Sequence, residues 1–242
     1  MGTLVRYEAT DSVATITMDD GKVNALGFDL FAELNEALDR AEADGLGVVL
    51  AGRDGKFSAG FDLKVLTSFT PDAATLLRTG FELSHRLLSF PRPVVIACTG
   101  HAMAMGVFLL LSGDHRIGVT GAAHKITANE VAIGMTMPRA AIEISRQRLT
   151  RAAFDRAVIL AEVFTPDQAV AAGFLDEVVP ADELLAVAQA KAAALMALDP
   201  TAHAATKLRA REATLAAIAA GTEADDVEFR AAIASVAGTA GA

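Results

Sequence analysis

Residues 47–63 read GVVLAGRDGKFSAGFDL. Gly47–Ala51 has the look of a short apolar strand, and Gly52, Asp54 and Gly55 form the turn that follows. The stretch Phe57-Ser58-Ala59-Gly60-Phe61-Asp62-Leu63 then admits two readings. In one it is a glycine turn leading into a helix, with Asp62 near the cap. In the other, Ala59 and Gly60 leave backbone N–H groups unobstructed, and such groups can point at a developing oxyanion.

A second unit of the same kind lies downstream. Val94–Cys98 contains no polar residue, as expected of a strand covered on both faces. It runs into Gly100-His101-Ala102-Met103-Ala104-Met105-Gly106 and then an apolar helix over 106–112, closed by Gly113. Small residues in that loop let a ligand approach the backbone, and the helix start aims its positive end there. A third unit is Ala128-Asn129-Glu130-Val131-Ala132-Ile133-Gly134, with Met135 and Met137 close behind. Glu130 in this apolar setting is either a buried structural partner or a base whose pKa is raised by desolvation.

Around these units the first half alternates strands and helices. Residues 4–8 and 13–18 read as two antiparallel strands, since Val13, Thr15 and Thr17 alternate with Ala14, Ile16 and Met18. Asp19-Asp20-Gly21 makes a turn. Phe31, Leu34, Leu38 and Ala41 mark a helix over Phe28–Ala43 that Gly45 ends. A further helix spans 76–88 and stops at Pro91-Arg92-Pro93, and a strand follows at His115–Val119. Strands separated by helices suggest a parallel sheet with right-handed crossovers. The second half reads as helices over 139–149, 150–160, 165–172, 181–198 and 201–220. Thr165-Pro166-Asp167 gives one of them a cap with proline at its first position. Beyond Gly221 the Ala-rich tail is expected to fray or dock onto a neighbour. No linker separates two domains.

Composition narrows the function. The 242 residues are 52% hydrophobic, enough for a packed core, yet no apolar run reaches the roughly 18 residues of a membrane span. Residues 1–11 carry both charge signs and no apolar h-region, unlike a secretory signal. Cys98 is the only cysteine, excluding an internal disulfide and any Cys-cluster metal site. A cytoplasmic protein that needs no membrane is expected. With a net charge of −9 and no dense Lys/Arg cluster, nucleic acid is not an expected partner. An anionic ligand stays open, because backbone N–H groups can bind phosphate.

Taken together, the three units resemble the crotonase (enoyl-CoA hydratase/isomerase) superfamily. FSAGFDL is similar to its first oxyanion segment, residues 98–114 to the second, and Asn24-Ala25-Leu26 to its CoA-proximal turn. Asn129-Glu130 with Gly134 and Pro138 is similar to its catalytic glutamate segment. The similarity runs in order over 4–198. It implies an α/β fold of repeated ββα units, forming a core of sheets with surrounding helices and a C-terminal helical region. Residues 1–180 would form the core with the CoA site. Residues 181–242 would form a helical trimerisation region of the same structural domain, in a homotrimer or hexamer.

The resemblance also implies roles. Glu130 would be the catalytic carboxylate, and the N–H groups of Ala59 and Met105 would hold the thioester oxygen of an acyl-CoA. Lys22, Val23, Ala25, Ala59, Gly60, Phe61, Asp62 and Leu63 would meet the coenzyme, with Phe108 at the acyl pocket. No metal and no separate cofactor is implied, coenzyme A being part of the substrate.

Two departures matter. Ala104-Met105-Gly106 replaces the glycine run of typical hydratases, and Phe108 occupies the position of their first glutamate. Hydration usually uses two carboxylates, whereas moving a double bond from C3–C4 to C2–C3 can use one. An enoyl-CoA isomerase is therefore the leading expectation, a hydratase of fatty-acid β-oxidation the alternative. An acyl-CoA-binding protein with weak catalysis and a thioester hydrolase are further rivals. His101 or Thr136 could supply a second polar group. Cys98 reads as a core residue, and Glu223, Asp225, Asp226 and Glu228 as a solvated helix face.

Overall fold

The computed structural model describes residues 3–121 and 123–240. Its strands are β1 (Val5–Ala9), β2 (Val13–Met18), β3 (Ala25–Leu26), β4 (Gly47–Ala51), β5 (Gly55–Ser58), β6 (Gly60–Phe61), β7 (Val94–Cys98), β8 (Gly100–Met103), β9 (His115–Val119), β10 (Ile126–Thr127) and β11 (Glu177–Val179). The helices are α1 (Phe28–Ala43), α2 (Leu63–Leu66), α3 (Pro71–Ser89), α4 (Met105–Leu111), α5 (Arg139–Arg146), α6 (Arg151–Val158), α7 (Pro166–Ala172), α8 (Leu184–Leu195) and α9 (Pro200–Ala240). Among the described residues, no helix is long and apolar enough to cross a membrane.

Six strands form one sheet in the order β1-β2-β4-β7-β9-β11. β1 pairs antiparallel with β2, and every later pairing in that sheet is parallel. The alternation of side chains sorts the two faces. Val13, Val49, Val95 and Ile117 pack with Leu184, Ala188 and Ala192 of α8. The two alanines, at i+4 and i+8 from Leu184, let that helix lie close to the sheet. Ile16, Leu50, Ile96 and Cys98 face the main core, which α1 joins through Leu30, Phe31, Leu34 and Leu38. Each of those large side chains contributes about 1.5–3 kcal/mol on full burial.

Three crossovers repeat one device. After leaving the large sheet, the chain adds one short strand to a second, parallel sheet ordered β10-β8-β5. β4 leads to β5, β7 to β8 and β9 to β10. Ser58 lies opposite Ala102, and Thr127 opposite Met103. Strands from three distant stretches thus end side by side. A two-stranded pair, β3-β6, sits beyond.

Several expectations are corrected. FSAGFDL contributes to two strands before the helix that Asp62 caps, rather than forming a simple turn. α3 begins at Pro71, not at residue 76, because proline occupies its first turn and Asp72 follows. α9 does not stop near Gly221 but continues to Ala240. A Cβ at Gly221 would lie 2.9 Å from the Ala140 nitrogen, so glycine there permits close approach to α5. The acidic group is a solvated face only at Glu223 and Glu228, which are exposed. Asp225 and Asp226 are buried, and ion pairs tie the group to Arg139, Arg78 and Arg230.

Candidate active site

The turn at Asn24 anchors the site. Asp20 accepts backbone N–H bonds from Lys22, Asn24 and Ala25 at 2.7, 2.8 and 3.0 Å. Burial works to raise the Asp20 pKa, but these N–H groups win and hold it below its ordinary value. Asn24 itself is wholly buried at φ 53°, a conformation that asparagine tolerates better than most residues. Its Nδ2 donates to the carbonyls of Met18 and Phe57, both at 3.0 Å. The exposed Lys22 and Val23 and the half-buried Ala25 are held around it.

FSAGFDL is placed against that turn. The Ala59 N–H donates to the Val23 carbonyl at 3.0 Å. It is therefore already engaged and does not serve as the free oxyanion donor expected of it. The Gly60 N–H goes to Ser58 Oγ at 3.1 Å, and the Asp62 N–H to the Leu26 carbonyl at 3.0 Å. Phe61 lies opposite Leu26 in parallel register. In such a ladder Leu26 bonds the residues on either side of its partner, so the Phe61 N–H points away from β3. Sequence reasoning picks Ala59 in this segment, whereas the amide left without a β3 partner is that of Phe61, two residues later. The alternation of strand amides identifies it only once the register is known.

Gly60 brings this segment onto the second unit. At φ 95° its added Cβ would lie 2.7 Å from Ala104 Cβ and 3.2 Å from the Met105 nitrogen. Ala104 takes φ 47° and donates its own N–H to Thr127 at 3.1 Å. Met105 is the first residue of α4, where a backbone N–H has no acceptor within the helix. The Phe61 and Met105 amides thus lie on one seam between β6 and α4. Asp62 accepts from Lys64 as the α2 cap, and Leu63 is exposed.

Glu130 follows three residues after Thr127. Val131 and Ile133 beside it are exposed, whereas Glu130 is only 6% exposed. Its Oε2 is buried without a hydrogen-bond partner. Desolvation pushes its pKa up to about 7. A hydrogen bond from its own backbone N–H works against that rise without cancelling it, and a buried carboxyl oxygen left unpaired is costly in a purely structural role.

Phe108 is 1% exposed and packs on Phe81, with ring centroids 6.1 Å apart. It is a core residue, three residues after Met105. His101 does not join Glu130 in any hydrogen bond: its Nδ1 accepts from the Lys125 N–H, and its ring meets His124. Thr136 is exposed, between the half-buried Met135 and the buried Met137. Cys98 is buried, and burial pushes its thiol up to about 12, consistent with a core role.

The order of these elements is matched over residues 8–238 by one family, enoyl-CoA hydratase/isomerase. The chain belongs to this family, the crotonase superfamily. It is an enzyme of that superfamily, and its mixed α/β fold is the crotonase fold. The mitochondrial enoyl-CoA delta isomerase 1 of Homo sapiens is 30% identical over 230 residues, covering 93% of this chain and 76% of the relative. The enoyl-CoA hydratase EchA3 of Mycobacterium ulcerans is 52% identical, with a TM-score of 0.90 over 93% of this chain and 99% of that one. An enoyl-CoA isomerase of Mtb is 50% identical, with a TM-score of 0.91 over 95% and 100%. Crotonases named for isomerisation and for hydration therefore resemble the chain alike.

Proposed function

We propose that the chain is a Δ3-Δ2 enoyl-CoA isomerase in which Glu130 is the single base. One observation carries this reading: Glu130 is a buried carboxyl with a pKa near 7 and an unpartnered oxygen, while Phe108 stands where a hydratase of the resembled pattern has its first glutamate. The Glu130 carboxylate takes the C2 proton of a 3-enoyl thioester. The released electron pair forms a dienolate, whose negative charge falls on the thioester oxygen. The amides of Phe61 and Met105 hold that oxygen, each worth about 3–4 kcal/mol in the transition state. Return of the same proton to C4 leaves the double bond at C2–C3, with no net change in atoms or charge. A pKa near the working pH suits both proton transfers.

The coenzyme would lie along Lys22, Val23 and Ala25 and the main chain of residues 59–63. The reaction needs no metal and no cofactor beyond the coenzyme A of its substrate. Residues 1–180 would supply this site. Residues 181–242 would add α8 and α9, with a homotrimer or hexamer as the working assembly in the cytoplasm. The exposed side chains of Ile159, Leu160 and Val163 support such an assembly surface. Light scattering on the purified chain tests the subunit count.

Hydration is the second reading, favoured by the 52% identity to a protein named enoyl-CoA hydratase. Turnover of trans-3-enoyl-CoA and trans-2-enoyl-CoA, with products separated by chromatography and mass, decides between them. Conversion of the 3-enoyl to the 2-enoyl isomer with little hydration supports the one-glutamate isomerase. Rapid formation of 3-hydroxyacyl-CoA overturns it.

A further inference from the structure

The segment that carries Glu130 also walls a cleft. Met135 donates its N–H to the Glu130 carbonyl at 2.9 Å, and residues 135–138 line one side of a space of about 470 Å³. α9 supplies the opposite side. Leu66, Leu77, Met135, Met137, Ile142 and Phe229 make the walls largely apolar. The cleft also has a charged margin. Arg139 pairs with Asp225 and with Glu228, both at 2.8 Å. One guanidinium against two carboxylates leaves a net charge of −1, and the Asp225 side chain is 9% exposed, so solvent screens it poorly.

We propose that this cleft takes the acyl chain of the substrate, and that the Arg139–Asp225–Glu228 group restricts it to chains whose far end is uncharged. The inference rests on the acyl-CoA reading of Glu130 and adds a substrate class to it. An aliphatic chain gains about fourfold in binding for each methylene that the walls cover. A chain ending in a carboxylate loses twice: its charge is desolvated among apolar side chains, and it meets a net negative margin. A space of this size suits a hydrocarbon chain rather than a short acyl group alone.

The test uses the full chain and three probes: trans-3-hexenoyl-CoA, trans-3-dodecenoyl-CoA and the dodecenoyl thioester bearing a terminal carboxylate. The plain dodecenoyl probe is expected to exceed its carboxylated counterpart at least about tenfold in kcat/KM. Glu228→Lys, on a side chain 69% exposed, reverses the net charge of the margin and cuts that preference by about tenfold. Ala232→Phe, at the exposed α9 edge of the cleft, lowers the ratio of dodecenoyl to hexenoyl turnover by about tenfold. Equal rates for the two twelve-carbon probes, or ratios that neither variant moves, overturn the proposal. No turnover of any probe is a failure of the Glu130 reading instead. Calorimetry of dodecanoyl-CoA and its carboxylated analogue on the Glu130→Gln chain then reads the preference directly, and equal or absent binding overturns it.

Discussion

Ser58 Oγ donates to the Asn24 carbonyl at 2.7 Å, with both side chains wholly buried. The same hydroxyl accepts the Gly60 N–H, so one side chain joins the Asn24 turn to the strand that carries Phe61.

Asn24→Ala removes the donor to two buried carbonyls and puts alanine at a positive φ. A loss of about 3 kcal/mol is expected, read as a lower urea midpoint at unchanged slope. Ser58→Ala costs about 1–2 kcal/mol by the same measurement and lowers kcat more than stability. A wild-type kcat in Ser58→Ala would detach this link from the donor seam.

Gly60→Ala meets two obstacles. The backbone is at φ 95°, and the new methyl would sit 2.7 Å from Ala104 Cβ and 3.0 Å from the Met103 carbonyl. The two amides proposed as donors, of Phe61 and Met105, must then move apart, and kcat is expected to fall at least about a hundredfold while the fold survives. Steady-state kinetics with circular dichroism as the control measures this. Unaltered kcat would place the donors elsewhere.

As the proposed base, Glu130 is expected to couple both turnover and stability to pH. Its folded pKa, about 7, lies above the unfolded value, so the native state holds its proton more tightly. Stability from this group is present below about pH 4.5 and is lost as pH rises through 7, by about 3 kcal/mol in all. Glu130→Gln removes that loss, so the variant gains on the wild type above pH 7. It also abolishes exchange of the C2 proton of an acyl-CoA while sparing binding. For the wild type, kcat/KM should rise with pH through about 7 as the base is freed. Denaturation at pH 5 and 8 and deuterium incorporation from heavy water check the two effects separately.

Asp114 gathers charge from α9. It accepts from Lys207 Nζ at 2.6 Å, Arg211 at 2.8 Å and the Val94 N–H at 2.8 Å. Lys207 is nearly buried, so Asp114→Asn strands two cations and should cost about 3–5 kcal/mol. Lys207→Met leaves Asp114 paired with Arg211 and should cost less than half as much. Equal costs in thermal denaturation would contradict this account.

Much of the scaffold is legible in the sequence. α1 is readable at its observed bounds because six buried positions repeat at helical spacing. β2, β4, β7 and β9 are readable because five or six residues of strand character suffice for a clear signal. The short strands are not. β3, β6 and β10 have two residues each, too few for any periodicity, and are defined by pairing with distant partners. Gly221 resembles a helix end because glycine commonly is one; contact with α5 gives it another use. The acidic group reads as solvated because its arginine partners include residues 78 and 139, far away along the chain.

Contiguous residue types are enough to specify the α/β class, the family and the three segments that meet at the site. They also specify that Glu130 is the one carboxylate in its segment, with phenylalanine at position 108. Which amides are free is a property of the folded chain, because hydrogen-bond direction depends on strand register: Ala59 spends its N–H on Val23, and Phe61 turns its own away from β3. The state of Glu130 is another such property. Its raised pKa comes from the water that folding excludes, and no local run of residues encodes that exclusion.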